Sequence, residues 1–335
     1  MIRVAVDAMG GDHAPATEVE GVVRALRELP PTFAVDVVGP TAAIEAELTK
    51  HPAIDRGRLG IIEATEVIGM ADKPLEAVRK KRKSTIVVGL GLQATGAAQA
   101  LVSAGNTGAM LAASTMLLGL HPGVERATVG TLLPTAEGPV LMLDAGANVD
   151  CSARELLGFA YLGTIYVRDI LDRPKPTVGL LNVGEEDGKG TKLVKEAHQL
   201  LKKGTGLNYL GNIEGRDILS GHQRHGRVDV VVCDGFVGNI VLKFYESVLG
   251  LVRHLAASEG LWDRPETRKA FRMLDYSQYG GAPLLGVKGN SIICHGSSNA
   301  NAILNAIRVA VQAVEHNLSQ HIGAQFAANE AAGRA

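Results

Sequence analysis

An α/β fold, a mostly parallel sheet sandwiched by helices, is what this sequence predicts. Three observations predict it. Short runs rich in Val, Ile and Leu alternate with longer stretches of helical periodicity along the chain, as they do where crossover helices bury a sheet on both faces. The runs end in turns that pair Gly with Asn, Asp, Ser or Thr, residues that close a strand and cap the next helix. No Pro/Gly/Ser-rich linker and no repeat of fixed period interrupts the alternation, so residues 1–335 are expected to form a single α/β catalytic unit.

In chain order, the apolar run 2–8 reads as a strand, and 16–29, with apolar positions at helical spacing, as a helix. Residues 33–38 form a strand, 41–48 a helix, 59–63 a strand and 75–83 a basic helix. From Ser84 to Val124 there is no Asp, Glu, Lys or Arg. A membrane span needs about 20 predominantly apolar residues, but Gly89, Gly91, Gly96, Gly105, Asn106 and Gly108 break this stretch. It therefore reads as a helix, a buried strand at 100–103 and a second buried helix at 107–118. Strands at 128–133 and 140–143 have only a turn between them, a hairpin-like insertion. A long helix follows at 152–171, then a strand at 177–182, a helix at 192–201, and strands at 207–212 and 228–233. The next helix is expected to open at Asn239. A strand at 291–294 and a helix at 299–317 complete the fold, and the Ala-rich, polar residues 319–335 read as a frayed tail.

The chain is 46% hydrophobic and 21% charged with a formal net charge of −1, which leaves no global field to draw it to nucleic acid or anionic lipid. Few aromatics argue further against an RNA-binding surface, so no nucleic-acid partner is expected. Cys151, Cys233 and Cys294 are far apart and form no CxxC pair. Neither a disulfide framework nor a metal site is expected, and a reducing cytoplasm fits. The N-terminus MIRVAVDAMGG lacks the long apolar stretch of a signal peptide.

In parallel sheets, ligands bind outside the carboxyl ends of the strands. Seven turns stand there: DAMGGDH (7–13), SAGNTGA (103–109), LDAGANVD (143–150), LLNVGEEDGKG (180–190), NIEGRD (212–217), CDGFVGN (233–239) and HGSSNAN (295–301). Gly admits a ligand close to backbone N–H groups, and helix N-termini favour anions. Any one of these would be an ordinary turn. Together they make a donor-rich cradle for a phosphate or an oxyanion, with Gly10, Gly11, Asp12, His13, Asn106, Thr107, Asp144, Asn148, Asn182, Asp234, His295 and Ser297 as candidate substrate-binding residues. Lys189, in a glycine-flanked turn, is the candidate cation. His13 and His295 serve either as acids or ligands, or as structural hydrogen-bonders. GEEDGKGT carries Gly190 where a P-loop needs Ser or Thr, and GLGLQATG lacks the dinucleotide spacing. No serine lies in G-x-S-x-G. The run RKKRK, Arg79, Lys80, Lys81, Arg82 and Lys83, is either a solvated face or the dock of an acidic partner. From Ile240 on, Val241, Phe244, Val248 and Val252 form an apolar face wide for one helix on a sheet. Residues 240–282 are expected to be a helical element for dimerisation and membrane proximity.

DAMGGDHAP, SAGNTGA, LDAGAN, LLNVGEEDGKG, NIEGRDI, CDGFVGN, YGGAPLLGVKG and HGSSNA, spanning 7 to about 310, resemble the signature blocks of the PlsX-type phosphate acyltransferases of bacteria. The resemblance implies transfer of a fatty acyl group from acyl carrier protein to inorganic phosphate. The acyl phosphate would go to a membrane-bound glycerol-3-phosphate acyltransferase of phospholipid synthesis. It also implies a cytoplasmic homodimer, peripheral at the inner face of the membrane. The implied fold is isocitrate-dehydrogenase-like, similar to phosphate acetyltransferases, and no cofactor is implied. Lys189 and Asn239 match the family's proposed catalytic positions. Two alternatives share the fold: a phosphate acetyltransferase using coenzyme A, and an NAD-dependent dehydrogenase.

Overall fold

The structure, a computed structural model, describes residues 1–135, 137–262, 264–267 and 278–331. The chain forms two compact units where one was expected. Met1–Ala127 joins the chain from Tyr279 onward in the first, and Thr128–Gln278 forms the second. No linker marks the boundary: β5 starts at Thr128, directly where the second unit begins.

The first unit holds β1 (Ile2–Asp7), α1 (Ala16–Glu28), β2 (Phe33–Gly39), α2 (Thr41–Leu48), β3 (Leu59–Glu63), α3 (Pro74–Lys80), α4 (Thr85–Ala94), β4 (Ala100–Ser103) and α5 (Thr107–Leu117). The second begins with β5 (Thr128–Leu133), β6 (Val140–Leu143), α6 (Ala153–Ile170), β7 (Thr177–Leu181), α7 (Lys192–Lys203) and β8 (Asn208–Ile213). It continues through α8 (Gly215–Ser220), β9 (His222–Gln223), β10 (Gly226–Arg227), β11 (Val230–Val232) and α9 (Gly235–Ser258). Back in the first unit come β12 (Ala282–Leu285), β13 (Asn290–Ile293), α10 (Ala300–Glu315) and α11 (Leu318–Ala331).

In the first unit the strand order is β3-β2-β1-β4-β13-β12. All neighbours are parallel except β12, which runs antiparallel to β13. β2 is buried at every position, as a strand covered on both faces must be. One face packs on α1 and α10 through Val4, Val6, Val35, Val37 and Val102. α1 and α10 approach so closely that a Cβ on Gly21 would stand 2.5 Å from Ile303 Cβ. On the other face Gly89 of α4 lies against Leu101. The second unit has the order β5-β6-β11-β7-β8, parallel but for β5. Gly163 of α6 sits on Val230 and Leu143. The opposite face gathers Met142, Val231, Ile213, Ile218 and Tyr245.

The uncharged stretch 84–124 is α4, β4 and α5, as its glycines suggest, and neither helix is long enough to span a membrane. Four differences from the sequence reading matter. The basic helix stops at Lys80: the Lys81 backbone leaves the helical region at φ −93°, ψ 70°, and its Nζ reaches out to Asp72 (2.5 Å) and the carbonyl of Val67 (2.8 Å). Residues 319–331 are not frayed but helical: Leu318, Ile322 and Phe326, spaced four apart, are buried on one face of α11. Residues 332–335 lie outside the described residues. β12 (APLL) is four residues long and holds Pro283, and α8 (GRDILS) has only Ile218 and Leu219 as apolar side chains, so neither announces itself. Finally, α9 opens at Gly235 rather than Asn239, for a reason found in its cap.

Candidate active site

In each unit the parallel strands leave at one edge, and the donor-rich turns lie there. In the first unit these are the turns after β1, β4 and β13. Asp7 closes β1 and is buried; burial pushes its carboxyl above the usual range. It accepts from Met9 N–H (3.0 Å) and from Ser103 Oγ (2.7 Å), and Ser103 Oγ in turn accepts from Gly105 N–H (3.0 Å). One carboxylate thus ties two turns together. Gly10 and Gly11 fit because nothing larger would. A Cβ on Gly10 would stand 2.5 Å from Gly105 N, and one on Gly11 would stand 2.2 Å from Glu18 Oε1. Asp12 N–H donates to Gly296 O at 2.8 Å, which joins the third turn. Asp12, His13, Thr107, His295 and Ser297 are exposed on this surface, and His295 Nδ1 lies 2.7 Å from Ser297 Oγ.

Asn106 has a different role from the expected one. It is buried, caps α5 through Ala109 N–H (3.0 Å), and donates to the carbonyls of Gly69 and Met70. It holds the turn rather than a ligand.

In the second unit β6, β11, β7 and β8 all end at the same edge. Asp144 is fully buried. Its Oδ1 accepts from Gly146 N–H (3.1 Å) and Ala147 N–H (2.9 Å), its Oδ2 from Asn148 N–H (2.8 Å) and Asn148 Nδ2 (2.6 Å). Burial raises its pKa and these donors partly offset the rise. The donors that the sequence reading offered to a ligand are therefore spent on Asp144, and Asp144 and Asn148 shape the loop. Gly235 N–H donates to Asn148 O (2.8 Å), and a Cβ on Gly238 would stand 1.8 Å from Asp144 O. Asp234 caps α9 by accepting from Val237 N–H at 2.9 Å. The helix starts at Gly235 because two glycines let its first turn press onto the Asp144 loop. Asn239 is thereby carried into the second turn, where it is exposed beside Gly146.

After β7, Asn182 accepts from Val183 N–H (2.8 Å) and donates to Lys189 O (3.2 Å). Gly190, at φ +92°, faces Asn182 so closely that only glycine fits. A Cβ on Gly184 would stand 3.3 Å from Lys189 Cγ. The loop is thus folded under the Lys189 stem, and the Lys189 side chain is exposed, with no ion pair among the described residues. Asp187 of this loop pairs with His198 (3.1 Å) and with Lys202. Cys233 and Cys294 are buried and their thiols are pushed up by burial, as expected of core cysteines. No group of His, Cys, Asp and Glu among the described residues could hold a metal.

Residues 2–321 match a family described as "Fatty acid synthesis protein". A phosphate acyltransferase of Heliobacterium modesticaldum is 47% identical, covering 96% of this chain and 98% of its own. One from Nostoc sp. is 44% identical, covering 97% and 96%. The chain belongs to the phosphate acyltransferase family. It is an acyltransferase, and the fold is shared more widely. A phosphotransacetylase from Streptococcus pyogenes superposes with TM-score 0.63 at 20% identity, covering 94% of each chain. A putative 4-hydroxythreonine-4-phosphate dehydrogenase from Salmonella typhimurium does so with TM-score 0.54 at 15% identity, covering 93% and 99%. Fold alone does not separate acyl transfer from dehydrogenation. Family membership does.

Sequence reasoning missed Asp7, Ser103 and Glu18. Asp7 had a signal, an acid at the end of an apolar strand. Glu18 had none, since an acid in a helix's first turn is ordinarily an exposed one.

Proposed function

We propose that this acyltransferase moves a fatty acyl group from acyl carrier protein to inorganic phosphate by direct attack. A phosphate oxygen bonds to the thioester carbonyl carbon, the tetrahedral intermediate collapses, the C–S bond breaks, and the carrier thiolate takes up a proton. Phosphate is already nucleophilic near neutral pH, so the protein's tasks are to align it, to offset the oxyanion and to exclude water. The observation that carries this reading is Lys189: an exposed ammonium with no ion partner among the described residues, on a turn that Asn182, Gly184 and Gly190 fold beneath it. Lys189 holds phosphate or the oxyanion, and Asn239, exposed on α9, supplies a neutral donor to the same chemistry. In the first unit His13 and Thr107 are exposed beside Gly10, while the N–H groups of Gly11 and Asp12 are taken by Glu18 and by Gly296 O.

Of the basic run, Arg79, Lys80, Arg82 and Lys83 are exposed and would meet the acidic carrier protein, whereas Lys81 is engaged with Asp72. α9 is, by length and composition, the one helix among the described residues long and apolar enough to cross a membrane. It carries Lys243, Glu246 and Arg253 and is anchored at its Asp234 cap, which favours a surface helix. Its exposed Phe236, Ile240, Phe244, Leu251, Val252 and Leu255 would bury themselves against a second copy of the chain. The part of this element at 268–277 lies outside the described residues. A cytoplasmic enzyme peripheral to the membrane, handing acyl phosphate to a membrane-bound glycerol-3-phosphate acyltransferase, fits these features.

The test is incubation of the protein with acyl-loaded carrier protein and phosphate, with hydroxylamine trapping of the acyl phosphate formed. Trapped product with acyl carrier protein and none with acetyl-coenzyme A supports the reading. The reverse result would make it a phosphate acetyltransferase.

A further inference from the structure

Glu18, in the first turn of α1, is 1% exposed. Its carboxyl fills the space where a side chain of Gly11 would be, and Gly11 Cα backs directly onto Oε1. Its other oxygen, Oε2, is buried with no hydrogen-bond partner among the described residues. Beyond the backbone N–H groups of Gly11 and of Glu18 itself, a carboxylate in that position has no donor for its second oxygen among the described residues, which is short of what buried charge requires. The groups acting on it are also wrong for an anion: Asp7 at the end of β1, Asp12 in the turn, and the Cys294 thiol after β13. From α10, Ile303 and Ala300 face the same helix at Gly21 and are apolar. Burial pushes the Glu18 pKa up to about 7; the N–H groups of Gly11 and of Glu18 itself partly offset this, and Asp7 and Asp12 add to it.

We infer that Glu18 is a positioning residue that sets the charge directly behind the Gly10–Gly11 turn, admitting an anion there when neutral and repelling it when ionised. This rests on reading the 7–13 turn as part of the phosphate site. The neutral acid adds no net charge behind the turn, whose Met9, Gly11 and Asp12 N–H groups are engaged by Asp7, Glu18 and Gly296 O, so an anion there would meet the N–H groups of Gly10 and His13. Ionisation places a negative charge behind the same backbone, where low dielectric leaves it poorly screened.

The probe is sulfate, whose charge is constant from pH 6 to pH 8, measured by calorimetric titration of the full-length protein. The expected result is that sulfate binds the wild type roughly tenfold more weakly at pH 8 than at pH 6. Glu18→Gln should lose that difference and bind at pH 8 as the wild type does at pH 6. Any histidine contribution, His13 beside the turn included, is common to both proteins, so the difference between their slopes is what Glu18 supplies. Glu18→Met, also neutral and of similar size, serves if the Gln variant does not fold. Equal slopes in wild type and variant would overturn this role and leave the phosphate reading standing. A wild type that binds no sulfate at either pH would overturn both this role and the assignment of the turn. Acyl phosphate formation by the same preparation shows whether the reaction itself holds.

Discussion

Gly146 and Asn239 lie against each other: a Cβ on Gly146 would stand 3.2 Å from Asn239 Oδ1. Gly146 is held there by its N–H bond to Asp144, at φ +119°. The position of Asn239 is therefore set by a loop almost a hundred residues earlier in the chain. Gly146→Ala should strain the backbone and push Asn239 away, costing about 10- to 100-fold in turnover. Asn239→Ala should produce a similar loss without affecting subunit assembly. A Gly146→Ala enzyme with unchanged kcat would show that Asn239 does not act in the reaction.

Lys189→Ala should fold and lose about 10²- to 10³-fold in kcat, the usual consequence of removing one donor to a developing oxyanion. Its melting temperature should match the wild type, because the side chain is exposed and supports nothing else. Turnover close to the wild type at saturating phosphate would remove Lys189 from the mechanism.

Reversing Lys80 and Lys83 to Glu should raise the KM for acyl carrier protein several-fold and leave the KM for phosphate alone. Both side chains are exposed, and Lys80 has only a long 3.5 Å pairing to Glu76. Salt should mimic the reversal in the wild type, since such attraction is screened beyond about 8 Å at physiological ionic strength. Kinetics in which mutant and wild type share one salt dependence would make the run a solvated face.

The exposed side of α9 predicts its own test. Phe244→Asp with Val252→Asp alters two residues that are 67% and 41% exposed, so the monomer's core is untouched. Sedimentation should show a dimer for the wild type and a monomer for the variant. A variant that sediments with the wild type's mass would assign this face to something other than a second copy.

Glu18 also predicts a pH dependence of stability. Its folded pKa of about 7 lies above its ordinary 4.5. Below about 4.5 the group is protonated folded and unfolded and contributes nothing. As pH rises towards 7 the unfolded chain releases its proton first, so stability falls, and above about 7 the full cost of about 3 kcal/mol is present. Glu18→Gln should therefore gain in melting temperature over the wild type at pH 8 and show little gain at pH 4.5. Equal gains at both would mean the carboxyl is not held neutral in the fold.

The sequence by itself determined most of the order of strands and helices, though not α8, β9, β10, β12 or α11, together with the turns at the strand ends and the family. These are written in local pattern: apolar period, Gly next to a capping residue, and exact words such as GEEDGKG. It also placed Lys189 on its loop, because glycines on either side of a cation are visible without coordinates. Tertiary structure alone decided which polar residues of those turns are free. Asp144, Asn148 and Asn106 look as available as Asn239 in the sequence, yet their donors and acceptors are consumed inside the loops. The start of α9 moved to Gly235 because Gly238 must pass the carbonyl of Asp144, and the tail became a helix because Leu318, Ile322 and Phe326 found a surface to cover. Glu18 shows the same limit most plainly. It lies behind Gly11, in a turn that Asp12 N–H ties to Gly296, distant in sequence, and the cost of burying a charge arises only after packing has removed the water.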